Sequence, residues 1–180
     1  MTATQRPSIA VTRQVASELD YSDPNGDDFE ALSRDRIPVR SLVAEDLPAI
    51  VAIDRRITGR DRTLYYQRKI DEALGESGVR VSLVAETGDW TLGFIMARVD
   101  FGEFGETEPE AVIDTIGVDP AHSHQNVGRA LVSQLLANLS TLKVERVRTE
   151  VPWDNFALLN FLNRCGFLPS QRLSFSRPIV

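Results

Sequence analysis

Cysteine occurs once in this chain, at Cys165, so no internal disulfide can form. The only histidines are His122 and His124, too few to complete a recognisable zinc ligand set, and no metal is expected. Long apolar runs are lacking too: nothing approaches the roughly 20 residues that a membrane-spanning helix needs. The N-terminus has no apolar signal-peptide core, and the expectation is a soluble, cytoplasmic protein with no membrane partner. Positive charge is in deficit, 20 Lys and Arg against 26 Asp and Glu, which argues against nucleic acid as a partner. No Gly-Lys-Ser or Gly-Lys-Thr loop and no Gly-x-Ser-x-Gly elbow is present, which excludes a nucleotide-hydrolysing phosphate loop and a hydrolase of the nucleophile-elbow type.

What is present suits one domain: 180 residues, 42% of them apolar, can build one substantial core. Residues 1–36 are rich in Thr, Ser, Asp, Pro and Gly, with the turn-forming cluster Asp23-Pro24-Asn25-Gly26-Asp27-Asp28, and read as a mobile extension ahead of a domain over 37–180. Ile37 to Arg40 reads as a first strand, and helices are expected from about Glu45 to Ile57 and from about Thr63 to Leu74. Between the helices, the basic run Arg55 to Arg62 reads as a solvated face or, alternatively, as a loop that binds a substrate. Val79–Glu86 and Thr91–Val99 alternate as strands around Thr87-Gly88-Asp89-Trp90. The next turn, Asp100 to Glu110, carries five acids and no base, and reads as a solvated tip or an attractor for a cationic amine. Arg146–Val151 gives a further strand, Asn155–Arg164 a short helix and Leu173–Ser176 a last strand.

The stretch Ile113 to Leu142 organises the rest. Ile113, Thr115, Ile116 and Val118 form a strand, Asp119-Pro120 ends it, and Leu131, Val132, Leu135, Leu136, Leu139 and Leu142 then recur at helical spacing. Between strand and helix lies Ser123-His124-Gln125-Asn126-Val127-Gly128, short, polar and permissive. A helix start leaves backbone N–H groups unpaired at the positive end of the macrodipole, so this junction suits a phosphate or pyrophosphate.

A valine-ended strand, an Asp-Pro turn and a polar loop closing on Gly128-Arg129-Ala130-Leu131 resemble the GNAT superfamily of N-acetyltransferases. The family loop has Gln or Arg, two free positions, Gly, one free position, then Gly or Ala; here Ser123 and Asn126 replace the first two and Gly128 matches the last. Asn tolerates positive φ best among non-glycine residues, so Asn126 suits the turn. A second signature runs from Glu150-Val151-Pro152-Trp153-Asp154-Asn155 to Cys165-Gly166-Phe167, where Asn155 caps a helix and Gly-Phe closes it. The order of elements is also that of the GNAT fold, which implies an α/β (α+β) mixed, mostly antiparallel sheet flanked by about four helices.

The resemblance implies acetyl-CoA as co-substrate, held by Ser123, His124, Gln125, Asn126, Val127, Gly128 and Arg129 at the pyrophosphate, by Ile116, Gly117 and Val118 along pantetheine, and by Asn155. It implies a primary amine as acceptor and, as the family often dimerises, a homodimer as one assembly. Transfer needs an unprotonated amine, a held thioester and a donor for the developing oxyanion. Val118 N–H is the expected donor, Asp114 and Glu150 the candidate bases, each with the alternative reading of a structural carboxylate. Gly117 reads equally as a β-bulge. Many members protonate the departing thiolate with a tyrosine seven residues after the asparagine, and here that position is Leu162. The alternative reading is therefore a non-catalytic acyl-CoA-binding or interaction module.

Overall fold

The computed structural model describes residues 36–75, 81–101, 108–170 and 176–179. The N-terminal extension, the tip of the acidic turn at 102–107 and most of the expected last strand lie outside the described residues. Among the described residues, five strands form one sheet in sequential order: β1 Val39–Ser41, β2 Leu83–Thr87, β3 Trp90–Phe101, β4 Pro109–Val118 and β5 Arg146–Thr149. Neighbours from β1 to β4 pair antiparallel, and β4 pairs with β5 in parallel. Four α-helices accompany it: α1 Leu47–Thr58, α2 Thr63–Gly75, α3 Val127–Thr141 and α4 Phe156–Arg164. The mixed, mostly antiparallel sheet with four helices is therefore as expected.

Glu45 and Asp46, expected in the first turn of α1, belong to a 3-10 turn at Ala44–Asp46 that precedes it. Proline near the start of α1 needs no intrahelical N–H partner there, and Asp46 turns back to accept from Val43 N–H at 2.8 Å and from Arg40 at 2.7 and 2.8 Å. The Asp46 hydrogen bond, against the cost of burial, holds the Arg40 guanidinium above its ordinary range and ties β1 to the helix start.

The sheet is covered on both faces, which explains its apolar strands. Leu83, Ala85, Ile95 and Ile113 pack on Leu131, Leu135 and Leu139 of α3, while Val84, Phe94 and Met96 pack on Ile50, Ile53, Tyr66 and Ile70 of α1 and α2. Leu142, expected on the apolar face, lies past the helix end and is about half exposed, 45%.

The bulge in β4 is at Asp114, not at Gly117. Met96 pairs with Thr115 and Ala97 with Ile113, leaving Asp114 as the extra residue. Plain alternation sets Asp114 and Thr115 on opposite faces. The bulge instead puts both on the α2 side, where Asp114 meets Lys69 and Thr115 meets Tyr66. Gly117 is explained by close approach: a Cβ there would lie 2.7 Å from the Phe94 ring.

Candidate functional site

The ladder between β4 and β5 runs from Glu110↔Arg146 to Ile113↔Thr149 and stops. Thr149 Oγ1 donates to the Ile113 carbonyl at 3.0 Å at that point, and Pro152 soon after has no N–H with which to continue. β4 carries on to Val118. Asp119 N–H donates to the Leu92 carbonyl of the β3 side at 2.8 Å, so alternation turns Gly117 toward β3 and leaves the N–H and C=O of Ile116 and Val118 facing the gap. Unpaired strand groups of this kind are ready to bond an extended ligand.

The gap opens into a cleft of about 270 Å³ that passes through the sheet. Val132, Leu158 and Leu162 wall it on the α3 and α4 side; Arg62, Asp114, Thr115 and Glu150 wall it on the other. The two candidate bases thus border one cleft but in different surroundings. Both oxygens of Asp114 are taken, one by Arg98 and one by Lys69 at 3.3 Å. Burial works against the charge of Lys69, yet Asp114 beside it outweighs that and keeps the ammonium above its ordinary value. Glu150 is 76% exposed and, among the described residues, has only a loose contact, 3.7 Å, with Arg148. Asp100 and Glu110, expected at the ends of the acidic turn, instead pair in β3 and β4, and Arg148 is bonded to Glu110 at 3.0 Å and lies 3.6 Å from Asp100.

Behind the cleft wall sits a cluster that sequence reasoning passed over. Asp54 on α1 is buried and accepts from Arg62 Nε at 2.8 Å, from Arg62 Nη2, and from the Tyr66 hydroxyl at 2.9 Å. The Arg62 hydrogen bonds, more than burial opposes them, hold the Asp54 carboxyl below its ordinary range. Burial pushes the Tyr66 phenol up to about 12. Arg62, read as part of a basic face, is therefore half-buried and braced. Two spacings carried the signal: Asp54 falls on the stripe of Ile50 and Ile53, and Arg62 and Tyr66 are one helical turn apart.

At the other end of the gap, the turn from β4 to α3 is shaped by its own polar groups. Asp119 accepts from Ala121 N–H at 3.0 Å and pairs with Arg56 of α1, which accounts for a second member of the basic run. Ser123 donates its hydroxyl to the Pro120 carbonyl at 2.9 Å. His124 and Asn126 both take the left-handed conformation at φ 63°. Asn126 is the N-cap of α3 but its side chain caps nothing, so Val127 and Gly128 N–H groups, which have no intrahelical acceptor, are left to the loop. Gly128 admits α4 closely: a Cβ there would lie 3.1 Å from the Phe161 ring. Asn155 caps α4 by accepting from Leu158 N–H at 3.2 Å. The structure thus brings Ile116, Val118 and Glu150 to the gap, and puts the Ser123–Arg129 loop beside the end of β4.

A splayed strand edge that leads into a helix start matches the resemblance, and residues 42–167 match the acetyltransferase (GNAT) family. The chain belongs to that family. No curated relative matches this GNAT protein in sequence. Among solved structures, the aminoglycoside N-acetyltransferase AAC(6')-Iy bound to a CoA-linked bisubstrate analogue superposes with TM-score 0.67 at 15% identity, over 80% of this chain and 99% of that one. An aminoglycoside 6'-N-acetyltransferase from Acinetobacter haemolyticus gives 0.66 at 17%, over 79% and 98%. The ribosomal-protein-S18-alanine N-acetyltransferase of Escherichia coli gives 0.62 at 24%, over 75% and 79%. At these identities the likeness speaks for the GNAT fold.

Proposed function

We propose that this GNAT protein is an acetyl-CoA-dependent N-acetyltransferase that moves the acetyl group directly to a primary amine in a ternary complex. The observation that carries the reading is the end of β5 pairing at Thr149, which leaves Ile116 lining a cleft through the sheet and Val118 further along the same free edge of β4. Pantetheine amides bond to the free edge of β4, the pyrophosphate takes the Val127 and Gly128 amides at the positive end of α3, and the thioester reaches the gap. Val118 N–H then meets the oxyanion as the carbonyl carbon becomes tetrahedral. The acceptor enters from the α1 and α2 side. Glu150 takes its proton, directly or through water, because Asp114 has both oxygens committed to cations. Leu162 has no proton to give, so the thiolate, with a thiol pKa of about 8.5, leaves to solvent.

The test is calorimetric titration of acetyl-CoA into the protein and into Asn126→Asp, which keeps a residue tolerant of positive φ and sets a negative charge against the pyrophosphate. Saturable binding that weakens at least about tenfold in the variant, with CoA release on addition of amines, is expected. Binding without turnover of any amine would leave a CoA-binding module, the reading that buried Leu162 favours. No binding at all would refute both.

A further inference from the structure

Arg62 is the feature of the cleft that transfer to a bare amine does not require. It lines the opening together with Asp114, Thr115 and Glu150, on the α1 and α2 side by which the acceptor enters. Basic side chains on a solvated face are loosely held, and this one is not. Arg62 Nε donates to Asp54 at 2.8 Å, Nη2 donates to the other oxygen of Asp54, and the Tyr66 hydroxyl lies 3.3 Å from Nη2. The Tyr65 and Tyr66 rings each flank the guanidinium at 5.6 Å from ring centroid to Cζ. These contacts use Nε and Nη2 and leave the two N–H groups of Nη1 without an acceptor among the described residues. The side chain keeps 40% of its exposure while Asp54 keeps 5%. A guanidinium fixed along one edge by a buried carboxylate has lost most of its rotamer freedom before a ligand arrives. Since Asp54 compensates its charge, what it offers the cleft is direction, donors on one fixed nitrogen, rather than a strong field.

We infer that Arg62 anchors a carboxylate on the acceptor, so that the substrate class is small amino acids, with the amine at Glu150 and the carboxylate at Nη1. This rests on the N-acetyltransferase reading above and deepens it. A polyamine would place a donor rather than an acceptor against Nη1 and leave its N–H groups unpaired, so the same group discriminates against it.

Free amino acids and their carboxamides differ in the proposed contact and in amine basicity, so rates are compared per unprotonated amine. With saturating acetyl-CoA, the acids are expected to exceed the amides in kcat/KM by about tenfold or more, the range for loss of a charge-assisted hydrogen bond. Arg62→Gln alone strands the buried Asp54, so the paired variant Asp54→Asn/Arg62→Gln is used; it should bring the ratio to about one while the acetyl-CoA Kd stays within about twofold. A second arm needs no turnover: N-acetyl amino acids and their amides are titrated into the CoA complex of the intact protein and of the paired variant. Preferential binding of the acids that the variant loses supports the anchor even if no amine is acetylated, an outcome that would sink the transferase reading alone. Turnover of amides at least as fast as acids, a ratio that persists in the variant, or no preference among the N-acetyl products would overturn the anchor.

Discussion

Gly117→Ala measures how tightly the free edge of β4 is built. The added Cβ would lie 2.7 Å from Phe94 Cε1 and 2.9 Å from Cζ, against an ordinary carbon–carbon contact of about 3.5–4.0 Å. The ring has nowhere to retreat. Phe94 is 1% exposed and meets the Tyr66 ring edge-on at 5.6 Å, and Tyr66 is itself pinned by its 2.9 Å hydrogen bond to Asp54. Overpacking of this kind costs up to about 3 kcal/mol. The loss of unfolded-state freedom when alanine replaces glycine offsets about 1 of that, leaving a net destabilisation of about 2 kcal/mol. For a chain of this size that is a fall in Tm of about 4–8 °C. Urea unfolding followed by circular dichroism gives the difference directly, and Phe94→Leu supplies the control. If the clash is the cause, the double variant should be more stable than the sum of the two singles by at least about 1 kcal/mol. A Gly117→Ala protein within about 0.5 kcal/mol of the parent, or strict additivity with Phe94→Leu, would refute the packing argument.

Glu150→Gln should lower kcat by at least about tenfold with little change in acetyl-CoA affinity, whereas Asp114→Asn should act mainly on stability, by releasing Lys69 and Arg98; the reverse pattern in steady-state kinetics would exchange their roles. Alkaline titration of phenolate absorbance should show one tyrosine ionising near pH 12 and losing that step in Tyr66→Phe. Asp54 has a depressed carboxyl pKa, so its stabilising effect is present above the unfolded value of about 4 and is lost as the pH falls through the folded one. Asp54→Asn should therefore be less stable than the parent by about 1–3 kcal/mol at pH 7, with urea midpoints that converge below about pH 4. A gap that stays constant down to pH 2 would show that the charge of Asp54 is not what is lost.

The sheet, the helices and the turn between β4 and α3 were legible because their signals are local. Period-two runs, a helical stripe from Leu131 to Leu139, an Asp-Pro stop and a helix-capping Asn155 each depend on neighbours a few residues away. Asn126 belongs with these: a residue that tolerates left-handed backbone stands where φ is 63°. The bulge did not, because an extra residue in β4 is visible only against its partner, and Asp114 becomes the extra one by the pairing of Met96 with Thr115 and Ala97 with Ile113. That single offset turned one of the two candidate bases, Asp114, toward Lys69 and Arg98, in line with its alternative reading as a structural carboxylate.

Spacing along the chain carried the family, the order of the described elements and the position of the polar loop. Which charges are available to a substrate depended on contacts between separate segments of the chain. Arg56 and Arg62 stand in one basic run; one is claimed by Asp119, 63 residues on, and the other by Asp54, eight residues back, yet only Arg62 lines the cleft. Ion pairing and burial depend on where distant segments meet in space, and α1 and α2 meet the sheet on the face that packs Val84, Phe94 and Met96.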